Sequence, residues 1–436
     1  MPRRLVYYNS SRKGVRMEKQ GNYLVISACE HVTKLFPLDM PSMPFYLAPI
    51  GKSGESMLQM TIRNLSGIAK IPRQNVVVVC DARYRKFVRK KISSEIPNKN
   101  IISPDEPYGE TRGMMHGVTH LYRTKETKSE AMVICTSCRQ LLRQNTQSNE
   151  LLVNSIEYSR NSGRPILFDI PGANPAIVDD CTRGYIVRAN EWIQNHNGHS
   201  YSKVIDYSFH PEYEKRTDDP QLKALYEASC SGCNCNSGVI IAPISVIGPI
   251  AARADYDRAV SFQMRELIME LRRSVIGMGP TAVISEPNWT ICEHYEGLHA
   301  YFAEGKDSNS VLGQGNIRIH NCSNSLIYAD EGVNLTVDNI KDEIVMIRRI
   351  GDQIFYLIST FGESYYSSLM YEIYSERDPS SIPHYQLAAF NNYVITNITE
   401  ADRVFGVCIK VGWHQLRITM ASDGAIHAEV RRCYPQ

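Results

Sequence analysis

Short apolar runs rich in β-branched residues alternate with amphipathic stretches over the first third of the chain. The runs 23–26, 76–79 and 131–134 are short and have the composition of strands that are buried on both faces. Between them, residues 57–65 and 114–122 carry apolar side chains at helical spacing. Because strands that alternate with helices build βαβ units, this pattern predicts an α/β fold with a mostly parallel sheet.

The pattern changes after Asn316. Five short strand-like segments follow at a spacing of roughly 8–10 residues, separated by Asn, Asp and Gly, which is typical of a small β-domain or a short β-solenoid. Further strands are predicted at 166–170, 186–188, 204–208 and 238–242, and a long helix from Arg253 to Arg273. The predicted organisation is a basic N-terminal arm (1–21), an α/β domain (22–310), a small β-domain (311–360) and a mixed C-terminal extension (361–436), for which an oligomer or partner contact is one explanation.

Composition and charge argue against several classes of protein. No apolar run approaches the ~20 residues of a membrane helix, and the basic N-terminus lacks the apolar core of a secretory signal. We therefore expect a cytoplasmic protein that does not contact a membrane. The net charge of +2 argues against a general polyanion binder, and the basic stretch from Arg83 to Lys91 is interpreted as a solvated helix face. Nucleic acid is accordingly not an expected partner.

Several segments, taken in order, resemble a known family. Residues 23–38 and 43–50 resemble the opening of the sugar-nucleotidyltransferases, with the mannose-1-phosphate guanylyltransferases as the best match. Residues 56–63 resemble the first helix of that family, and residues 100–109 resemble its base-binding segment. Later landmarks that match are Gly184–Ile186, Asn236–Gly238 and Asn324–Tyr328.

The resemblance covers about residues 22–358. It implies a nucleotidyltransferase-like, Rossmann-like α/β domain followed by a short β-helix-like domain, and a nucleotide or sugar nucleotide as the class of ligand. The residues that it maps to substrate binding are Thr33, Lys34, Gly109, Gly184, Tyr185, Asn236, Ser237 and Gly238.

The departures from the family fall on residues that carry its chemistry. The positions of the two metal-binding aspartates fall near Ser137 and Ile291, and a lysine is replaced by Phe45. The glycine-rich phosphate loop reads Cys29-Glu30-His31-Val32, and Glu110 replaces an arginine of the base-binding segment. Because nucleotidyl transfer depends on close backbone amides, cations and a metal ion, we expect the inherited reaction to be lost, and no catalytic residue is assigned.

Cysteines have entered the same segments, which the family fold would bring together at the carboxyl ends of the strands. Cys135 and Cys138 form one Cys-x-x-Cys pair and Cys230 and Cys233 another, a spacing that can hold a soft metal such as zinc or an iron–sulfur cluster. The candidate metal ligands are Cys29, Cys135, Cys138, Cys230, Cys233, Cys235 and Cys292. The alternative is that these thiols are packing residues, since free cysteine behaves as a small hydrophobe.

The sequence therefore predicts a catalytically inactive sugar-nucleotidyltransferase-like protein with a structural or regulatory role. Its former pocket is either inert or converted to a site for zinc or an iron–sulfur cluster. Its partners are expected to be further copies of the chain or another protein. The alternative is a divergent but active enzyme that makes an NDP-sugar of the GDP-mannose type from a sugar 1-phosphate and a nucleoside triphosphate, with Mg²⁺ as its cofactor.

Overall fold

The computed structural model gives both the backbone and the side chains of the chain. It describes residues 21–29, 35–40, 43–51, 53–104, 109–124, 130–171, 184–208, 220, 223–224, 235–256, 264–274, 281–286, 289–305, 307–350, 353–361, 407–411, 414–421 and 423–433. Apart from Gly21, the predicted basic arm lies outside these residues.

Helices and strands alternate up to residue 302, and strands follow. The helices are α1 (Met57–Ile68), α2 (Arg85–Ile92), α3 (Glu110–Arg123), α4 (Thr146–Ser162), α5 (Ile244–Tyr256), α6 (Met264–Ser274) and α7 (Tyr295–Phe302). The strands of the first part are β1 (Asn22–Ala28), β2 (Val76–Cys80), β3 (Ile101–Ile102), β4 (Met132–Ser137), β5 (Gln140–Leu142), β6 (Ile166–Ile170), β7 (Tyr185–His196), β8 (His199–Ser208), β9 (Cys235–Pro243), β10 (Ala282–Ser285) and β11 (Trp289–Ile291). Those of the second part are β12 (Ser310–Gly313), β13 (Asn316–His320), β14 (Leu326–Ala329), β15 (Val333–Asp338), β16 (Glu343–Ile350), β17 (Gln353–Thr360), β18 (Val407–Val411), β19 (His414–Met420) and β20 (Ile426–Arg432).

A nine-stranded sheet in the order β3-β2-β1-β4-β9-β6-β10-β8-β7 organises the first part. Among its described strands, all except β8 and β9 run in one direction. Buried side chains fill both faces: α1, α2, α4 and α7 contribute to the cluster on one face, and α3, α5 and α6 to the cluster on the other. The prediction of an α/β fold with a mostly parallel sheet is confirmed.

Two helices differ from the sequence-based prediction. The helix expected from Arg253 to Arg273 corresponds to the end of α5 and to α6, and residues 257–263 between them are not described. Helix α4 was not predicted, because polar residues dilute its apolar stripe. Its capping residues were the available signal: the Asn145 side chain accepts a hydrogen bond from the backbone N–H of Ser148 (2.8 Å), and Gly163 ends the helix at φ 70°.

The second part consists of two sheets that enclose one apolar core. Strands β12, β14 and β16 pair in parallel, as do β13, β15 and β20. Leu335 and Val337 of one sheet and Ile327 and Val345 of the other share the core. This confirms the predicted β-helix-like arrangement.

The last strands of the chain belong to this second part. Strand β20 pairs in parallel with β15, and β19 and β18 extend the same sheet. Glu343 of β16 joins both sheets, since its carboxylate is 2.7 Å from His414 Nε2 and accepts a hydrogen bond from Arg432 Nη1 (2.8 Å). The predicted domain boundary at residue 360 stays a prediction. Strands from the two sides of this boundary, β15 and β20, pair with each other.

Residues 35–37 are held by side chains of both parts. The Tyr295 hydroxyl of α7, in the first part, is 3.0 Å from the carbonyl oxygen of Leu35 and 2.9 Å from that of Phe36. Buried Arg348 donates to the carbonyl oxygen of Pro37 (2.9 Å). Pro37 of the first part and Arg348 of the second are thereby joined.

No helix that the structure describes combines the length and the apolar character needed to cross a bilayer.

Two glycines give a matched test of helix packing. A Cβ atom at Gly117 of α3 would lie 2.5 Å from Val25 Cγ1 and 3.0 Å from Val79 Cγ2, whereas one at Gly67 of α1 would meet no atom within 4 Å. We expect Gly117→Ala to lower the free energy of unfolding by about 1–3 kcal/mol, because α3 must move away from the sheet. Gly67→Ala should raise it by up to about 1 kcal/mol through reduced chain entropy. Urea unfolding measures both, and equal effects would contradict the close packing of α3.

Candidate functional site

The candidate site lies at the carboxyl ends of β1 and β4, beside the N-terminus of α3. Gly109 is the N-cap of α3, and its carbonyl oxygen accepts a hydrogen bond from the N–H of Gly113 (2.9 Å). A Cβ atom at Gly113 would lie 2.4 Å from Ser27 Oγ and 2.9 Å from Cys29 Sγ, so this glycine allows α3 to approach the end of β1. Thr33 and Lys34, which the resemblance mapped to substrate binding, lie outside the described residues.

Arg139 lies at the centre of the site, between two carboxylates. Its Nη2 forms a close ion pair with Glu110 Oε2, and its Nη1 is 3.3 Å from Glu293 Oε1. All three side chains are buried, with exposed fractions of 7% for Arg139, 10% for Glu110 and 8% for Glu293. We call these three residues the arginine triad.

Two local structures position the arginine triad. Strand β5 pairs with β11, so that Gln140 lies opposite Ile291, and the N–H of Cys292 donates to the carbonyl oxygen of Arg139 (2.9 Å). Glu110 is in the first turn of α3, where a carboxylate is favoured by the helix dipole. The resemblance maps the two metal-binding aspartates near Ser137 and Ile291. Arg139 is close to both: it follows Ser137 by two residues in the chain, and its neighbour Gln140 pairs with Ile291.

Gln140 fixes the turn between β4 and β5. Its Oε1 accepts hydrogen bonds from the Thr136 hydroxyl (2.6 Å) and from the N–H of Ser137 (2.8 Å), and its Nε2 donates to Glu110 (3.2 Å). The N–H of Arg139 in turn donates to Ser137 Oγ (3.2 Å). Ser137 is thus used in the turn, at the position where the family has a metal ligand.

The described donor set does not fit the magnesium ion that the resemblance implies. Ser137 and Ile291 have no carboxylate to offer, and the nearby carboxylates of Glu110 and Glu293 are both occupied by Arg139. Mg²⁺ requires oxygen ligands in octahedral geometry. A fixed guanidinium instead supplies a single positive charge with no open coordination position.

The structure brings the remaining substrate-mapped residues together on β7 and β9. Tyr185 lies opposite Cys235, and the N–H of Asn236 donates to the carbonyl oxygen of Gly184 (3.0 Å). The side chains of Asn236 and Ser237 accept hydrogen bonds from the N–H groups two residues further along, of Gly238 (3.1 Å) and Val239 (3.2 Å). These residues form one hydrogen-bonded strand segment with left-handed backbone at Gly184 and Gly238.

Asp169 is a site residue that sequence reasoning missed. It lies opposite Asn236 in the pairing of β6 with β9 and is fully buried, and its Oδ2 is 3.5 Å from Arg188 Nη1. Burial raises the pKa of this carboxyl, and the nearby Arg188 charge opposes the rise. The available signal was an acidic residue inside an otherwise apolar run at 166–170.

The two cysteines of the first Cys-x-x-Cys pair lie in different parts of the core. Side chains alternate along β4, so Cys135 packs with α3 and α5 on one face of the sheet, whereas Cys138 joins the cluster on the other. A metal site shared by Cys135 and Cys138 stays a prediction, and the described packing of the two thiols in different clusters gives it no support. Cys29 packs on the face of Cys135, and Cys235 and Cys292 pack on the face of Cys138.

The wider metal prediction depends on residues that are not described. Among the described residues, no group of three or more His, Cys, Asp and Glu side chains could hold a metal ion. Cys230 and Cys233 lie outside them. A zinc or iron–sulfur site that includes those two cysteines stays a prediction.

Thiol alkylation distinguishes buried thiols from accessible ones. Burial raises the pKa of Cys29, Cys135 and Cys138, so their reactive thiolate forms are scarce at pH 8. We expect iodoacetamide to label exposed Cys433 in the folded protein, and the three buried thiols only after unfolding in urea. Peptide mass spectrometry measures the labelling, and rapid labelling of Cys138 in the folded protein would contradict its burial.

The chain was compared with known proteins at the level of families, sequences and structures. No family model matches, and no curated protein matches in sequence. Solved structures do match: mannose-1-phosphate geranyltransferase from Thermus thermophilus has a TM-score of 0.53 at 15% identity, over 81% of this chain and 98% of that one. UTP-bound UGPase from Acinetobacter baumannii has a TM-score of 0.43 (12% identity, 64% of this chain and 92% of that one), and CTP:phosphocholine cytidylyltransferase from Streptococcus pneumoniae has one of 0.36 (14%, 64% and 97%). The first of these likenesses establishes a nucleotidyltransferase-like α/β fold for the chain.

Proposed function

We propose that the chain is a catalytically inactive relative of the sugar-nucleotidyltransferases that serves as a structural or regulatory subunit. The observation that carries this proposal is the arginine triad. Nucleotidyl transfer needs cations that neutralise the charge developing on the phosphates, and a bound metal ion is the usual source. In this chain, the guanidinium of Arg139 is paired with the carboxylates of Glu110 and Glu293 at the place that the resemblance assigns to the metal.

Phe45 gives independent support. The resemblance puts a phosphate-binding lysine at this position, whereas Phe45 is fully buried and packs edge-on against Tyr46, with ring centroids 6.3 Å apart. Its N–H donates to Asp39 Oδ1 (2.7 Å), which fixes the segment. A phenyl ring in the core offers no charge to a triphosphate.

A subunit role implies a partner. We propose a homo-oligomer or a complex with another protein, in keeping with the fold serving as a scaffold rather than as a catalyst. Light scattering coupled to gel filtration, on protein purified without denaturation, tests this. A stable oligomer or a stoichiometric partner would support the role, whereas a strict monomer without a partner would contradict it.

The catalytic part of the proposal is tested by release of pyrophosphate. We expect no Mg²⁺-dependent release from GTP, ATP, UTP or CTP in the presence of mannose 1-phosphate or glucose 1-phosphate, because Ser137, Ile291 and Phe45 occupy the positions that the resemblance maps to two metal ligands and a lysine. A coupled phosphate assay measures the rate, with heat-denatured protein as the control. A rate above that control which disappears with EDTA would favour the alternative, a divergent active enzyme.

A variant of Arg139 tests whether the guanidinium stands in for a metal ion. In Arg139→Met, two buried carboxylates lose their compensating charge, and we expect the free energy of unfolding to fall by about 3–5 kcal/mol. Added Mg²⁺ or Mn²⁺ should restore part of the thermal stability of this variant and leave the wild type unchanged, because only in the variant have Glu110 and Glu293 lost the positive charge of Arg139.

Arg253→Met is the matched control, since Arg253 forms a 2.9 Å ion pair with Glu270 on the surface, where its side chain is 65% exposed. This substitution should change the stability by less than about 1 kcal/mol and should create no response to divalent cations. Stabilisation of the wild-type protein by Mg²⁺ would contradict the assignment of Arg139.

A further inference from the structure

A polar groove lies on the outer face of the sheet formed by β13, β15, β20 and β19. Its volume is about 350 Å³. Strand pairing arranges its lining in rows, and one row contains Arg318, Thr336, Glu429 and Arg417, one residue from each strand. The two arginines are on the outer two of these four strands. Because adjacent strands are about 4.8 Å apart, the site is roughly 14 Å wide.

A second row, two residues along the strands, adds neutral hydrogen-bonding groups. Asn334, His427 and Thr419 line the same cavity and are adjacent in the register. The apolar lining residues Leu335 and Ala428 are buried and belong to the core between the sheets, so they do not make the groove apolar. No Phe, Tyr or Trp is among the described lining residues.

The charges of the groove favour an anion. Arg318 and Arg417 face one carboxylate, that of Glu429, and His427 adds a further group that can carry positive charge. Within the described part of the chain, neither arginine side chain takes part in a hydrogen bond or an ion pair. Their guanidinium groups are thus available to a ligand, and guanidinium matches the geometry of phosphate.

We propose that this groove binds a small phosphorylated polyhydroxy compound of the hexose phosphate class. The arginines bind the phosphate, and the Thr, Asn and Glu side chains accept and donate hydrogen bonds to the hydroxyls. Half of the groove is made by β19 and β20, which belong to the C-terminal extension. The extension is thereby given a function: it completes a binding site. The proposal is independent of whether the former catalytic pocket is active.

Isothermal titration calorimetry with three probes tests the proposal: glucose 6-phosphate, inorganic phosphate and glucose. We expect glucose 6-phosphate to bind with one site per chain and more tightly than inorganic phosphate, and glucose not to bind. The double variant Arg318→Gln/Arg417→Gln should weaken the binding of glucose 6-phosphate at least tenfold. Glu429→Gln should strengthen it about threefold, because the opposing carboxylate is removed.

Arg431→Gln is the matched control. Arg431 is on the same face of β20, but it pairs with Asp338 (3.4 Å) and does not line the groove, so its replacement should leave the affinity within twofold. Circular dichroism and thermal unfolding verify that each variant is folded.

Four results would overturn the proposal. The first is no binding of glucose 6-phosphate, and the second is binding that the double variant retains, which would place the ligand elsewhere. The third is a change of oligomeric state in the double variant without loss of ligand affinity, which would make this face a contact between copies of the chain. Equal affinities for inorganic phosphate and glucose 6-phosphate would overturn the recognition of the hydroxyls.

Discussion

The parallel pairing of β1 with both β2 and β4 is the constraint on which the candidate site depends. β1 has a neighbour on each side over nearly its whole length, and its last residues lie beside Cys80 on one side and Ser137 on the other. This register ends the three strands at one edge of the sheet. α3 can cover that edge closely because Gly113 and Gly117 have no side chains. The positions of Cys29, Glu110 and Arg139 all follow from this arrangement.

Sequence patterns predicted the parallel sheet well because runs such as 76–79 are buried on both faces and leave few alternatives. The resemblance also identified Ser137 and Ile291 as places where metal ligands are missing. It did not identify Arg139, because the arginine triad is made by contacts between segments far apart in the chain, which local spacing does not encode. The Cys135–Cys138 pair shows a second limit of local spacing: the spacing suggests a chelating turn, whereas the two thiols pack in different hydrophobic clusters.

The arginine triad also changes the field of the pocket. One guanidinium faces two carboxylates, so this buried group has more negative than positive charge, the reverse of what attracts a triphosphate. Buried ion pairs add little net stability compared with well-packed apolar residues, yet loss of one partner is costly. The triad is therefore hard to alter one residue at a time.

The pairing of β15 with β20 has a consequence for the newly made chain. Residues 339–425 separate the two strands, so during translation β15 has an open edge until residues 426–432 leave the ribosome. At about 5–20 residues per second, this interval is on the order of 10 s. An unpaired strand edge of this kind can pair with strands of other chains, so the β-domain is most exposed to misassociation during this interval.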